Sequence, residues 1–244
     1  MTNPLQPEPA PAPASFFIEG TDTGVGKTRM TTGLLAAGRA AGLKVAGMKP
    51  VAAGAIWHDG HLINEDAAMI ADVSDQNIPY EWLNPYCLPD PLSPHIAARR
   101  ACVHIDIRVI AAAARRIAAG RQLFLVEGAG GWHAPISALE SMADVARALD
   151  LPVLLVVGLK LGCLNHARLT HAAILQSGCR YAGWAGSQVD PGFEALEDNC
   201  ATLEQLLGAA PIAILPYRPE RSADAQLLAA AVPQLLAQQQ TAAH

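Results

Sequence analysis

The sequence predicts one α/β domain of three layers, in which helices cover both faces of a mostly parallel, doubly wound sheet. Short apolar, β-rich runs alternate with Ala- and Leu-rich helical stretches, and this alternation implies right-handed crossovers between parallel strands. The 244 residues, of which 51% are hydrophobic, suffice for one domain with a sizeable core. Aromatic residues are scarce at 5%, which suits parallel strands covered by Ala-rich helices.

The alternation follows a proline-rich tail and is interrupted once. Because proline favours extended chain, we expect a disordered tail over residues 1–14 and one domain over residues 15–244. Strands are predicted at residues 16–19, 45–48, 123–127, 153–157, 182–189 and 212–215, and helices at residues 28–41, 106–119, 143–149, 165–177 and 201–207. Residues 57–94, rich in Pro, Asn, Asp and aromatics, are predicted to form a long irregular insertion, which often carries function.

The composition argues against several classes of protein. The 22 acidic and 17 basic side chains give a net charge of −5 without a basic stripe, so we expect no nucleic-acid partner. The N-terminus lacks a signal-peptide pattern and no apolar run reaches membrane-spanning length, so we expect no membrane association. The five cysteines form no CxxC pair, which argues against a zinc site or a disulfide framework and favours a cytoplasmic protein.

The strongest motif is GTDTGVGKT at residues 20–28, which follows a predicted strand and opens a predicted helix. Gly24 and Gly26 leave backbone N–H groups free to face a triphosphate, and the helix N-terminus adds positive charge. Lys27 is expected to reach the β- and γ-phosphates, and Thr28 to bind Mg²⁺. Five residues lie between Gly20 and Gly26 where the usual pattern has four, so the motif predicts an expanded P-loop of a nucleoside-triphosphate enzyme.

Two acidic residues are candidates to complete a magnesium site, since Mg²⁺ with phosphates also takes one or two carboxylates. Glu127 ends the apolar run LFLV and precedes a glycine-rich turn, at the sheet edge where ligands bind in such folds. Asp66 precedes the helical run AAMIA, where it is either a helix N-cap or a metal ligand.

Two lysines follow predicted strands. Lys49 is either a surface side chain or an ammonium that offsets charge on a transferring phosphoryl group or a carbamate. Lys160 lies in a glycine-bearing loop in which Asn165 is expected to cap the next helix. That loop either holds a carboxylate or is a plain entry into the helix.

Six collinear segments together resemble the dethiobiotin synthetase family. They are GTDTGVGKT (20–28), KPVAAG (49–54), NPYCLPDPLSPHIAA (84–98), VEGAGGW (126–132), LPVLLVVGLKLGCLNHA (151–167) and AGWAGSQV (182–189). The fourth and fifth are far more specific than the P-loop, which by itself indicates only a nucleotide. The resemblance covers nearly the whole chain after the tail.

The resemblance implies that the chain makes dethiobiotin from 7,8-diaminopelargonic acid, CO2 and ATP, with Mg²⁺, as a homodimer. One amine captures CO2 as a carbamate, whose oxygen attacks the γ-phosphate to give a carbamic–phosphoric anhydride. The second amine then closes the ring with loss of phosphate. Such a reaction asks the protein mainly for positioning and charge neutralisation.

Carried over position by position, the resemblance implies roles for particular residues. Lys27, Lys49 and Thr23 are the implied catalytic residues, and Thr28, Asp66 and Glu127 the implied metal ligands. Implied nucleotide contacts are Gly24, Val25, Gly26, Lys27, Thr28, Arg29, Asp66, Glu127, Gly128, Ala129, Gly130, Ser187, Gln188, Pro216, Tyr217 and Arg218. Implied substrate contacts are Thr23, Lys49, Ala53, Leu161, Gly162, Cys163 and Asn165. The partner subunit supplies the last four, which receive the carboxylate tail of the substrate.

The chain departs from the family pattern in two places. Ala53 stands where the family often has a serine that contacts substrate, so a hydroxyl contact is lost. Gly186, Ser187 and Gln188 replace the segment that usually offers an asparagine to the adenine, which puts strict ATP preference in doubt. Residues 216–218 match the second base-contacting segment only loosely.

Two other interpretations compete. One is a partition- or septum-type ATPase, a dimerising switch in which hydrolysis controls binding to partners, but that class carries an extra lysine early in its P-loop, where this chain has Asp22. A cobyrinic-acid-type amidoligase needs a glutaminase domain with a nucleophilic cysteine, for which this chain is too short. Cys163, the only cysteine near the predicted site, is expected to be a small packing residue.

Overall fold

The structure, a computed structural model, describes residues 13–75, 77–218 and 223–241. In chain order its strands are β1 (Ala14–Gly20), β2 (Val45–Met48), β3 (Val51–Ala53), β4 (Ile56–His58), β5 (His61–Ile63), β6 (Tyr86–Leu88), β7 (Leu123–Glu127), β8 (Val153–Leu159), β9 (Tyr181–Gln188) and β10 (Ile214–Leu215). Its helices are α1 (Lys27–Ala40), α2 (Glu65–Val73), α3 (Tyr80–Leu83), α4 (Pro94–Arg100), α5 (Ile107–Ala118), α6 (Met142–Leu149), α7 (Cys163–Gln176), α8 (Leu196–Leu207), α9 (Asp224–Leu228) and α10 (Ala231–Thr241).

Six strands form one parallel sheet in the order β10-β9-β8-β1-β7-β2. Strand β1 lies between β7 and β8, and in its register Ile18 faces Glu127 of β7. Because all strands run the same way, the carboxyl ends of β1, β2 and β7 lie at one edge of the sheet. That edge is where a parallel α/β sheet binds ligands.

Helices pack on both faces of the sheet, so its central strands are buried on both sides. Phe17 of β1 belongs to the core cluster that holds residues of α5, α6, α7 and α8. Its neighbours Phe16 and Ile18 point to the opposite cluster, which holds residues of α1, α2, α9 and α10. Strands buried on both faces need nearly continuous apolar runs, as in β7 and β8. The predicted three-layer α/β fold is therefore confirmed.

The chain enters the sheet slightly earlier than the sequence predicts. Ala14 is already the first residue of β1, since its N–H donates to Gln122 O at 3.0 Å and it pairs with Leu123. Residues 1–12, the bulk of the predicted tail, lie outside the described residues. Helices α9 and α10 were not among the predicted elements. Within the described residues, no helix is long and apolar enough to cross a membrane.

The prediction of an irregular insertion at residues 57–94 is wrong. Strands β4 and β5 form an antiparallel hairpin, and β3 and β6 form a small parallel pair. Helices α2 and α3 lie between these strands, and α4 begins at the end of the segment. The strands are three residues long, which is too short to give a clear alternating pattern in the sequence.

Candidate active site

The P-loop wraps the carboxyl end of β1 and leads directly into α1. Gly24 and Gly26 have positive φ values of 73° and 90°, a conformation that side-chain-bearing residues avoid. A Cβ added to Gly26 would lie 2.4 Å from Ser187 Oγ, so this position has no room for a side chain. Val25 is buried and packs against Gly20 and Gly158, which anchors the loop to the sheet. The predicted anion cradle is therefore fixed by core packing on its inner side.

Lys27 is the first residue of α1 and lies across the P-loop. Its Nζ donates to Asp22 O at 2.9 Å and to Gly130 O at 2.5 Å. The side chain is 7% exposed, and burial lowers its pKa, although nearby carboxylates oppose the shift. The ammonium thus ties the P-loop to the glycine turn that follows β7.

Lys49 follows β2 and makes the closest charge pair of the site. Its Nζ donates to Glu127 Oε1 at 2.5 Å and to Gly128 O at 3.3 Å, and it lies 3.3 Å from Asp66 Oδ2. Lys49 is only 5% exposed, which excludes the surface-lysine interpretation. Burial lowers its pKa, but the carboxylates of Glu127 and Asp66 outweigh burial and raise the pKa above the usual value. Lys49 is therefore a buried cation at neutral pH.

Three oxygen-bearing side chains at this edge have the chemistry of a magnesium site. Thr28 Oγ1 donates to Glu127 Oε1 at 2.8 Å. The Asp66 carboxylate lies 3.3 Å from Lys49 Nζ, which also binds Glu127. The second oxygen of Glu127 is buried and has no hydrogen-bond partner in the structure. A hydroxyl and two carboxylates, one of which has a buried free oxygen, lie beside a phosphate cradle and fit a hard cation such as Mg²⁺.

Two adjoining cavities meet at these residues. The smaller, of ≈ 260 Å³, is lined by the P-loop with Lys49, Asp66 and Glu127. The larger, of ≈ 680 Å³, extends over Ala53, Ser93 and Pro135. Thr23, Lys49, Asp66 and Gly130 line both cavities. The phosphate cradle therefore opens into a space of the size that small-molecule sites have.

Asp66 is presented by the first turn of α2, whose N-cap is another residue. Asn64 Oδ1 accepts a hydrogen bond from Ala67 N at 3.2 Å, and Asn64 Nδ2 donates to Ala53 O at 3.2 Å. The alternative in which Asp66 caps the helix is therefore wrong. Its carboxylate is left free to face Lys49.

Glu19 is a buried acid that the sequence interpretation missed. It is fully buried at the end of β1, where Oε1 accepts from Gly20 N at 2.8 Å and Oε2 has no hydrogen-bond partner among the described residues. Burial raises its pKa to about 7, although the Lys27 ammonium opposes the shift. A Cβ on Gly128 would lie 2.4 Å from Glu19 Oε2, so Gly128 gives room to this carboxyl. A charged residue closing an apolar run was the available signal in the sequence.

Most of the hydrogen-bond donors of Arg29 bind other parts of the protein and stabilise the fold. Its guanidinium binds both oxygens of Asp224 at 2.6 and 2.7 Å and donates to Pro216 O at 2.8 Å. Arg29 and Asp224 are both buried, so the pair links α1 to α9 and to the segment after β10. For the predicted nucleotide contact, Arg29 therefore has available only its backbone and the atoms that line the smaller cavity.

The predicted base-reading residues lie together but differ in exposure. Ser187 is buried beneath Gly26, so its hydroxyl is not presented to a base at the surface. Gln188 Oε1 accepts from Tyr217 N at 3.2 Å, and its Nε2 donates to Asp190 O at 3.3 Å. Tyr217 and Arg218 are exposed beside it. The base-contacting role of this group stays a prediction.

The loop after β8 is not brought to the cavities of its own chain. Leu161 is 91% exposed, whereas Cys163 is buried in the core, as expected for a packing residue. Helix α7 begins at Cys163 with Gly162 as its N-cap, so Asn165 lies inside the helix and the prediction that it caps the helix is wrong. None of Leu161, Gly162, Cys163 and Asn165 lines either cavity.

Comparison with known proteins points to one family. A family model described as an AAA domain matches residues 14–225. The ATP-dependent dethiobiotin synthetase BioD of Xanthomonas oryzae pv. oryzae (strain PXO99A) is 45% identical over 214 residues, 88% of this chain and 96% of the relative. The protein of the same name from Xylella fastidiosa (strain 9a5c) is 42% identical over 221 residues, 91% of this chain and 98% of the relative.

Solved structures show the same fold at much lower identity. The MinC:MinD cell division complex of Aquifex aeolicus aligns with a TM-score of 0.55 at 14% identity, covering 93% of this chain and 96% of that chain. A ParA family ATPase from Chlorobium tepidum aligns with a TM-score of 0.52 at 11% identity, covering 92% and 97%. At these identities the likeness shows the fold alone.

Proposed function

Because this chain belongs to the AAA-domain family and to the ATP-dependent dethiobiotin synthetases, we propose that it forms dethiobiotin from 7,8-diaminopelargonic acid, CO2 and ATP. One observation carries the assignment to this site: a phosphate cradle and a larger cavity share Thr23, Lys49, Asp66 and Gly130. A terminal phosphate in the cradle and a small acid in the larger cavity would meet at Lys49. Phosphoryl transfer between them then needs little motion.

The first step is formation of a carbamate in the larger cavity. One amine of the diamine adds to CO2 and releases a proton, which leaves a carbamate anion. Lys49 is buried and charged, so its ammonium offers a fixed positive charge to this anion without reorganisation of solvent. Thr23 precedes Gly24 of the P-loop and lines both cavities, so we assign its hydroxyl to the reacting groups.

The second step is attack of a carbamate oxygen on the γ-phosphorus, which breaks the bond to ADP and forms a carbamic–phosphoric anhydride. Lys27, Lys49 and the P-loop amides would stabilise the negative charge on the transferring phosphoryl group. Lys27 Nζ is held by Asp22 O and Gly130 O, two neutral acceptors that phosphate oxygens can replace. In the last step the second amine attacks the anhydride carbonyl, closes the ring and releases phosphate.

We assign Thr28, Asp66 and Glu127 as the residues that hold Mg²⁺. An ion bound there would supply positive charge to offset that of the phosphates. Glu127 already joins Thr28 and Lys49 through one oxygen, which leaves its second, unpaired oxygen available. The remaining predicted nucleotide contacts, including Ala129, Gln188 and Tyr217, belong to this proposal.

The proposal also includes a cytoplasmic homodimer. Leu161, at 91% exposure, and the loop it belongs to line no cavity of their own chain. The exposed part of this loop is therefore available to a second subunit, where the N-terminal end of α7 would bind the substrate carboxylate. Such an arrangement would complete each larger cavity with residues of the partner.

The test is an assay with purified protein, the diamine, ¹³C- and ¹⁸O-labelled bicarbonate, Mg²⁺ and ATP. We expect diamine-dependent ADP formation, ¹³C in the ureido carbonyl of dethiobiotin and one ¹⁸O atom in the released phosphate. The oxygen label distinguishes attack by the carbamate from simple hydrolysis by water. ATP hydrolysis that ignores the diamine but responds to DNA or to lipid vesicles would instead support a switch ATPase.

A further inference from the structure

The main chain around Lys49 is held by the segment that joins α3 to β6. Lys49 N donates to Leu83 O at 2.9 Å, and Lys49 O accepts from Asn84 Nδ2 at 2.7 Å. Asn84 is 3% exposed, so water does not compete for this contact. The position of the Lys49 backbone therefore depends on how the Asn84 side chain is oriented.

Asn84 is in turn oriented by Tyr80, the first residue of α3. The Tyr80 hydroxyl donates to Asn84 Oδ1 at 3.4 Å and accepts from Asn64 N at 2.9 Å. These contacts form a series of hydrogen bonds in which each group donates to the next, from Asn64 N–H through Tyr80 and Asn84 to the Lys49 carbonyl. Burial raises the pKa of Tyr80 to about 12, so the phenol keeps its proton and acts as a donor at neutral pH.

The other end of this series of hydrogen bonds leads to Lys49 from the opposite side. Asn64 caps α2, and the first turn of α2 carries Asp66, whose Oδ2 lies 3.3 Å from Lys49 Nζ. The series of hydrogen bonds and the Lys49–Asp66 ion pair thus form a closed ring of contacts beside the larger cavity. Only Tyr80 spans the gap between the α2 cap and Asn84 among the contacts of the described residues.

We propose that Tyr80, which is half-buried, is a positioning residue, whose hydroxyl sets the separation of the Lys49 ammonium and the Asp66 carboxylate across the cavity. Without the hydroxyl, Asn64 N–H and Asn84 Oδ1 lose this partner, so the cap of α2 is no longer linked to the Asn84 side chain that binds the Lys49 carbonyl. An ammonium displaced by a fraction of an ångström is poorly placed for the transferring phosphoryl group. This role rests on the proposed function, whereas the geometric claim stands without it.

Tyr80→Phe removes this oxygen alone, and Tyr86→Phe is its matched control. The Tyr86 hydroxyl accepts from Asp106 N at 2.8 Å and donates to Asp106 O at 3.3 Å, so it ties β6 to the start of α5 and makes no contact with the site. Both variants lose one phenol oxygen with two backbone or amide partners, and the Tyr80 oxygen also interacts with the Cys87 thiol. A purely structural role of Tyr80 would therefore give the two variants the same phenotype.

Because the Lys49 ammonium is displaced, we expect kcat of Tyr80→Phe to fall roughly tenfold, which corresponds to about 1.4 kcal/mol in the activation barrier, with little change in KM for ATP. Tyr86→Phe should keep the kcat of the parent protein, while its free energy of unfolding should fall by about as much as that of Tyr80→Phe. Asn84→Ala breaks the chain one link further on, so it should lower kcat similarly, and the double variant should be no worse than either single one. Normal kcat in Tyr80→Phe, or equal losses in Tyr80→Phe and Tyr86→Phe, would overturn the proposal.

A structure of Tyr80→Phe separates this inference from the enzymatic assignment. We expect the Lys49 Nζ–Asp66 Oδ2 contact to open beyond the 3.3 Å of the parent protein, while the P-loop is unchanged. An unchanged contact contradicts the proposal even if the parent protein makes dethiobiotin. Conversely, an opened contact supports it even if the parent protein fails the dethiobiotin assay. Should Tyr80→Phe not fold, the structure of Asn84→Ala provides the same measurement.

Discussion

The two walls of the active-site cavity are held in place by different means. The sheet-edge wall, made of the P-loop and the turn after β7, rests on strands buried on both faces and on glycines pressed against neighbouring atoms. The opposite wall, from residues 51–94, consists of short strands and helices joined by side-chain hydrogen bonds of Asn64, Tyr80 and Asn84. The first wall is rigid because the core is rigid, whereas the second depends on a few polar contacts.

This difference predicts how substitutions should act. Changes in the sheet-edge wall should alter the stability of the whole domain, because its charged groups are buried in the core. Changes in the opposite wall should alter turnover more than stability, because they release a local element. Lys49 lies between the walls and contacts both, through Glu127 and Asp66, so it should show both effects.

Lys49→Met gives the largest expected effect. Loss of the ammonium should reduce kcat by roughly 10²–10³-fold. It also leaves Glu127 buried without a counterion, which should cost about 3–5 kcal/mol of unfolding free energy. The measurements are single-turnover ADP formation and urea unfolding.

A second substitution separates the two effects of Lys49→Met. Lys49→Met combined with Glu127→Gln has no uncompensated buried charge, so it should regain stability without regaining turnover. Lys44→Met, which removes an exposed lysine shortly before β2, should change neither quantity. Near-normal turnover in Lys49→Met would remove this residue from the catalytic set.

Glu19→Gln should give an effect on stability that depends on pH. Burial raises the pKa of Glu19 from 4.5 to about 7, so in this window the folded state holds a proton that the unfolded state releases. The parent protein therefore loses stability as pH rises from about 4.5 to about 7, by on the order of 3 kcal/mol from this group. Glu19→Gln, measured without nucleotide, should gain about that much relative to the parent protein between pH 4 and pH 8.

The control for Glu19→Gln is Glu81→Gln, in which the same chemical change is made at an exposed position. Its stability relative to the parent protein should stay nearly constant across the same pH range. A flat difference curve for Glu19→Gln as well would show that the buried carboxyl is not protonated in the folded state.

Asn64→Ala should give the smallest effect on stability. It removes the cap of α2 and should cost roughly 1 kcal/mol of unfolding free energy. Asp106→Ala removes a comparable cap from α5, where Asp106 Oδ1 accepts from Arg108 N at 2.8 Å. Both should lose similar stability by urea unfolding, but only Asn64→Ala should lower kcat. Equal activity in the two variants would contradict the distinction between the walls.

The sequence identifies the sheet-edge wall well because its physical requirements are local. A P-loop needs glycines at fixed spacing, a lysine and a hydroxyl, and all of these follow β1 within nine residues. Glu127 could be recognised because a charge ends a buried strand. The same logic extends to Glu19, which the interpretation passed over because it lies next to the stronger motif.

The opposite wall is much less predictable from sequence. Asp66 had two equal interpretations, and only the position of Asn64 as the cap decides between them. Tyr80 and Asn84 gave no signal as a pair with Asn64, since Tyr80 binds Asn64 at the start of α2 and Asn84 binds the Lys49 main chain, both in elements other than their own. The three-residue strands of the segment were also predicted to be irregular, because so few residues define no period.

Alternating strands and helices, the P-loop and the sheet-edge acid were fixed by the amino-acid sequence alone, because backbone conformation and strand burial impose residue types at nearby positions. Tertiary structure alone decided that Lys49 is buried between Glu127 and Asp66, that Arg29 is bound by Asp224, and that Ser187 lies beneath Gly26. Contacts between residues far apart in the chain depend on how the layers pack, and no local pattern in the sequence encodes them.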